Sequence, residues 1–215
     1  MELKYKKNTA MEKELYLHPR QTATVKIGFD RGILYANDYA LKMFGYDLTE
    51  FIGQKPRIVC HEDMPHIIHD MIGAIVFNYE KGIAVLKHRT KDGDYFWAFT
   101  YYKPSYKADG TFESFVTMRK PLPDKKINGT EENLRKQIGK LYTAVKEIES
   151  LVGYEQALKY MDGFLEDKGY KTLREYYMSF FDFKEEELEK FFAMDKNTPE
   201  KEILRYYDRS KLLVF

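Results

Sequence analysis

Two Asp-Gly turns constrain this chain more than any other feature. They fall at Lys91-Asp92-Gly93-Asp94 and at Lys107-Ala108-Asp109-Gly110, and they cut an apolar, aromatic-rich stretch into three runs. Asp-Gly between β-rich runs is a strong hairpin signal, because glycine takes the positive φ that a tight turn demands. The runs 83–89, 95–102 and 112–118 therefore read as three strands joined by hairpins, and so antiparallel. An earlier hairpin has the same logic. Residues 22–29 (TATVKIGF) roughly alternate, Asp30-Arg31-Gly32 turns the chain, and 33–36 (ILYA) resumes an apolar strand.

Helical signals lie between the two strand groups. Asn37 or Asp38 can cap a short helix that runs to Phe44 and stops at Gly45. Asp47 to Glu50 starts another short piece, which Gly53 ends. From Asp63, Met64, Ile67, Ile68, Met71, Ile72, Ile75 and Val76 recur at steps of three and four. That spacing predicts an amphipathic helix with Pro65 in its first turn and Gly82 at its end. The order is two strands, helices, three strands.

Pro121-Leu122-Pro123 cannot continue a strand and marks a boundary. Beyond it, Leu134, Ile138, Leu141, Val145, Ile148 and Val152 form a heptad-like seam of fewer than three heptads. The seam supports helix pairing without requiring a coiled coil. A second helix is expected over 154–168, stopping at Gly169. Asp182 with Glu185 has the capping-box pattern for another, and Thr198-Pro199 opens a last one. The chain thus divides into a polar arm or helix over 1–20, an α+β domain over 21–121, and an all-α region over 130–215.

Composition removes several function classes. Lys plus Arg is 35 against 34 Asp plus Glu, a net charge of +1, so nothing favours nucleic acid or an anionic membrane. No apolar run approaches the roughly 20 residues that span a bilayer, so no membrane insertion is expected. The first residues lack the apolar core of a signal peptide. Cys60 is the only cysteine, which rules out an intrachain disulfide and a zinc ribbon. Cytoplasmic location is the expectation. No G-x-S-x-G, P-loop or H-E-x-x-H motif appears, and Glu185-Glu186-Glu187 reads as a solvated helix face, so no catalysis is expected.

The stretches ILYANDYALKMFGY, FIGQKPRIVCHEDMP and KHRTKDGDYFW carry a family resemblance. Residues 33–120 resemble a PAS domain of the bacterial aerotaxis-receptor, or energy-taxis, type. The tail resembles the helical extension on stand-alone proteins of that kind. The resemblance implies a PAS fold: a five-stranded antiparallel sheet with flanking helices and a cofactor or small ligand between them. In the aerotaxis type that cofactor is FAD, read for redox state and oxygen. The output implied is signalling in trans to a receptor or other signalling protein, with a homodimer expected.

Carried over residue by residue, the resemblance places Asn37, His61, Asp63 and Trp97 at retained positions, with Gly53. Cys60 stands where the family has Arg, Gly73 where it has Trp, and His88 where it has Asn. The replacements remove a bidentate donor and a large apolar surface from a flavin pocket. Two alternatives therefore stand beside FAD. One is a cofactor-free scaffold for dimerisation and docking, with Asn37 and Asp63 as plain helix caps. The other is a haem-binding gas sensor using His69, the clustered histidine that borders the apolar helix face; His66 lies off that face, beside Asp70. A cysteinyl-flavin light adduct is not expected, because Pro56 occupies the position of the reactive cysteine. Finally, Tyr95, Trp97, Phe99 and Tyr101 point one way from their strand, while Phe96, Ala98, Thr100 and Tyr102 point the other. One row must line the core. The other needs cover from the tail, a second copy or a receptor.

Overall fold

The computed structural model describes residues 12–123, 133–194 and 197. The expected helix at Thr198-Pro199 and residues 1–11 of the expected arm lie outside the described residues. The strands are β1 (Glu14–Leu15), β2 (Ala23–Gly28), β3 (Ile33–Ala36), β4 (Gly82–Arg89), β5 (Tyr95–Tyr106) and β6 (Phe112–Lys120). Five of them pair antiparallel in the order β3-β2-β6-β5-β4. The sixth, β1, lies parallel to the start of β5, with Glu14 opposite Tyr95 and Leu15 opposite Phe96, and makes the sheet mixed. A two-residue strand has no room for alternation, so the sequence gives no sign of it.

The helices follow their caps. Helix α1 (Asp38–Phe44) starts at Asn37, whose side chain accepts from the Ala40 N–H, and ends at Gly45 with φ 75°. The short α2 (Leu48–Phe51) and a 3-10 turn (Pro56–Val59) come next. Helix α3 spans His66–Phe77, shorter at both ends than expected. Pro65 takes the N-cap position, and Asp63 does not cap the helix; its carboxylate pairs with Lys87. The helix stops at Asn78, and Gly82 instead opens β4.

The tail holds α4 (Leu134–Leu151), α5 (Tyr154–Asp167), α6 (Leu173–Met178) and α7 (Leu188–Ala193). Thr172 caps α6 by accepting from Glu175 N–H, a start the sequence reading missed. The helix expected after Asp182 is only a 3-10 turn, Glu185–Glu187, that leads into α7.

Helices α1, α2 and α3 cover the inner face of the sheet, and the tail covers the outer face of β4 and β5. Phe96 points inward, its ring 5.3 Å from Phe44. Phe99 points outward, 4.4 Å from Phe181 and 5.5 Å from Phe192. Trp97 lies 6.0 Å from Tyr142 of α4, and the Tyr142 hydroxyl donates to the Val85 carbonyl at 2.9 Å. The row Tyr95, Trp97, Phe99 and Tyr101 is thus the one the chain's own tail covers. The α4 seam (Leu134, Ile138, Leu141, Val145) is buried, and one continuous apolar cluster runs from α3 and β4–β5 into the tail.

Candidate functional site

Helix α3 does not close onto the sheet along its whole length. Beneath it lies a cavity of about 620 Å³, walled by the 3-10 segment, α3, β4, β5 and β6. Its apolar wall includes Ile27, Val59, Ile72, Val76 and Leu86. Its polar floor is made by His88, Tyr102 and Arg119, each at most 6% exposed. The mouth carries Arg31, Lys55 and Arg57, all exposed, and the wall contains no Asp or Glu.

The floor is an ordered network. Arg119 Nε donates to His88 Nε2 at 3.1 Å, and its Nη1 donates to Thr117 Oγ1 at 3.0 Å. A guanidinium is always a donor, so His88 Nε2 is the acceptor and Nδ1 carries the proton, facing the Val59 carbonyl at 3.3 Å. Burial, then the Arg119 charge, pushes His88 well below the ordinary imidazole value, which keeps it neutral. Burial likewise raises Tyr102 and the Cys60 thiol, so both stay protonated. Cys60 lies in the wall, and its backbone bridges to His88.

A second cleft, about 590 Å³, lies on the outer side between β5 and α4 and is lined by Trp97, Arg135, Gly139 and Glu147 among others. Met64 and Lys87 reach both spaces. Lys87 is nearly buried, bonded to Asp63 and seated over the Tyr95 ring at 4.1 Å. Burial raises the Asp63 carboxyl, but the bond and charge of Lys87 outweigh it and hold Asp63 below the usual value. The tail also reaches the cavity helix directly. The Glu149 carboxylate of α4 accepts from the His66 and Ile67 N–H groups, both at 2.9 Å, capping α3 where its own sequence offers no side-chain cap.

The family model of the PAS fold matches residues 33–118. The sheet with its covering helices is a PAS fold. The chain is 28% identical over 99 residues to the aerotaxis receptor of Escherichia coli (strain K12), a match that covers 46% of this chain and 19% of the receptor. The matched part is thus about a fifth of that curated relative's length. Among solved structures it is similar to the light state of the blue-light photoreceptor Aureochrome1 LOV, at TM-score 0.45 and 19% identity over 60% of this chain and 93% of that one. It is also similar to the light-state dimer of the fungal photoreceptor Vivid, at TM-score 0.43 and 17% identity over 46% and 76%.

Of the seven site residues named from sequence, the PAS cavity gathers His69, Gly73 and His88. The other four are placed elsewhere. Asn37 Oδ1 accepts from Thr24 and Ala40, and its Nδ2 donates to the Thr22 carbonyl, so its amide is consumed in joining α1 to β2. His61 is buried with both ring nitrogens engaged, by Asp63 N–H and by Glu12. Asp63 and Trp97 line the outer cleft. Of the positions carried over for a flavin, the retained Asn37, His61, Asp63 and Trp97 do not line the cavity, whereas the replaced Cys60, Gly73 and His88 do. The amide is used, an imidazole bound to Arg119 replaces the strand Asn, and Gly73 leaves open space where an indole is implied. Sequence reasoning missed Arg119, Tyr102, Lys87 and Glu149. Nothing in a strand-end Arg or a tail Glu announces burial, since such residues are mostly solvated.

Proposed function

We propose that this chain is a cytoplasmic signal-transduction module, a binding protein with no reaction assigned to it. Its PAS cavity takes up a small ligand, and the tail reports occupancy in trans to a receptor or other signalling protein. The observation that carries this reading is Glu149. A tail carboxylate, 8% exposed, caps the helix that roofs the cavity, so a ligand that shifts α3 acts on α4 through two charge-assisted hydrogen bonds. The shared walls at Met64 and Lys87 give a second contact between cavity and tail side.

The test exploits the single cysteine. N-ethylmaleimide, added at alkaline pH because burial raises the Cys60 thiol, places a group in the cavity wall, with Cys60→Ser as the unlabelled control. Amide exchange in the full chain should change in α3 and also in α4, and Glu149→Ala should confine the change to α3. Exchange that changes only around the cavity would overturn the reading. FAD and haem are the alternative occupants. Protein desalted after incubation with FAD would retain visible flavin absorbance, and a Soret band removed by His69→Ala would promote haem, because His69 lies in the wall. If full-length protein forms a homodimer, it does so without the Trp97 row, which the tail already occupies.

A further inference from the structure

We propose that the PAS cavity is a site for an organic anion, a molecule with an apolar body and one carboxylate or phosphate, seated with its acid group against Arg119 and Tyr102. This rests on the cavity being the ligand site and names the chemistry it takes.

Arg119 is the reason. It is 4% exposed and has no carboxylate partner among the described residues. Burying a charge without a counter-charge is costly, and proteins ordinarily avoid it by pairing. A Lys in that position could shed its proton; Arg does not. The neighbours do not neutralise it. His88 is neutral and already accepts one of its N–H groups, while the Cys60 thiol and the Tyr102 hydroxyl are kept protonated by burial. Of the five donors on a guanidinium, two are used, by His88 and Thr117. The rest belong to a group that lines an open cavity.

Tyr102 adds a second donor. It is 6% exposed, lines the same floor, and its hydroxyl has no hydrogen-bond partner among the described residues. A fixed cation near an unused hydroxyl, both lining a space with no acidic wall residue, fits an acid group in its ionised form. The exposed cations Arg31, Lys55 and Arg57 at the mouth favour entry of a negative molecule. Ile27, Val59, Ile72 and Leu86 define what the rest of the ligand must be, since an apolar wall rewards an apolar body.

Titration calorimetry on the full chain with three probes of one shape tests this: 2-naphthoate, 2-naphthyl phosphate and the uncharged 2-naphthamide. At least one anion should bind roughly tenfold tighter than the amide, the difference that one charge-assisted contact supplies. Which anion wins distinguishes carboxylate from phosphate. Arg119→Met should erase the preference and leave amide binding in place. Should that variant fail to fold, Tyr102→Phe decides, and it should weaken the anion several-fold without touching the amide. Equal binding of acid and amide to the native chain overturns the anion assignment while the cavity reading stands. A preference that survives Arg119→Met also overturns it. No binding by any probe counts against the cavity reading itself.

Discussion

The two faces of the β4–β5 hairpin are built from similar residues and finished in opposite ways. On the outer face Phe99 meets Phe181, Phe191 and Phe192 at ring distances of 4.4–6.3 Å, so aromatic meets aromatic around Phe99, and open space is left only in the cleft beside Trp97 and α4. On the inner face Tyr102, His88 and Arg119 surround a void, and polar groups there are left with unused hydrogen-bonding capacity. Thr100, in the same row as Tyr102, has a buried hydroxyl with no hydrogen-bond partner among the described residues. Close packing is what stabilises a fold, and a cavity forgoes it. The outer face is therefore read as structure and the inner face as function.

The strongest test of that contrast is Phe192→Ala. Phe192 is 1% exposed and stacks on both Phe99 and Tyr101. Truncating a core Phe costs about 3–5 kcal/mol, so urea unfolding of the full chain should show a loss in that range. A loss below about 1 kcal/mol would mean that the tail only rests on the sheet, and the contrast between faces would collapse.

Next in size is Glu149→Ala. It strips two N–H groups of a buried charged acceptor, a change worth about 1–3 kcal/mol. Glu149→Gln, which keeps an oxygen acceptor, should cost less. Amide exchange at His66 and Ile67 should rise in both. Unchanged exchange there would cut the link between tail and cavity helix.

pH separates the two faces without mutation. Burial lowers the pKa of the two cavity histidines, His69 and His88, from 6.5. The unfolded chain then binds protons that the folded chain refuses, so their stabilisation is complete above 6.5 and lost as pH falls below it. On the outer side, bonds from Lys103 and Lys81 lower Glu189 from 4.5 to about 2. Its contribution is present above 4.5 and lost only as pH falls toward 2. Unfolding midpoints should thus decline first between 6.5 and 4.5, from the cavity side. His88→Phe should flatten that first decline and spare the second. A midpoint that stays level down to 4.5 would show that the cavity-side histidines do not titrate with folding.

Local chemistry made most of the fold legible. The Asp-Gly turns placed β4 to β6 within a few residues, and Asn37 and Gly45 bounded α1 as read. Misreadings occurred where a residue's partner is distant in sequence. Asp63 looked like a cap for α3, but Lys87, 24 residues away, claims its carboxylate. Glu149 was not singled out on its heptad-like helix, yet it supplies the cap, 82 residues from Ile67. The cavity itself was legible as a location through Gly73, His69 and His88. Its charge was not, because Arg119 becomes unusual only when packing removes water and supplies no carboxylate.

The smallest predicted effect is at Gly73, and it is read against Gly82, which packs on α3. At Gly82 an added Cβ would lie 2.4 Å from Ile75 Cδ1 and 2.9 Å from Cγ1 and Cγ2, so the whole side chain is in the way. Gly82→Ala should cost about 1–3 kcal/mol, as overpacking does. At Gly73, within α3, an added Cβ meets nothing within 4 Å. There the usual helix penalty of glycine is unopposed, and Gly73→Ala should stabilise the chain by about 0.5–1 kcal/mol. The pair describes a helix clamped near its end by Ile75 on Gly82 and at its start by Glu149, with open space beside Gly73 where it borders the cavity. Such a helix can respond to what lies beneath its middle while its ends stay attached to sheet and tail. If Gly73→Ala destabilises as much as Gly82→Ala, the middle of α3 is packed as tightly as its end, and the inner face is no less filled than the outer.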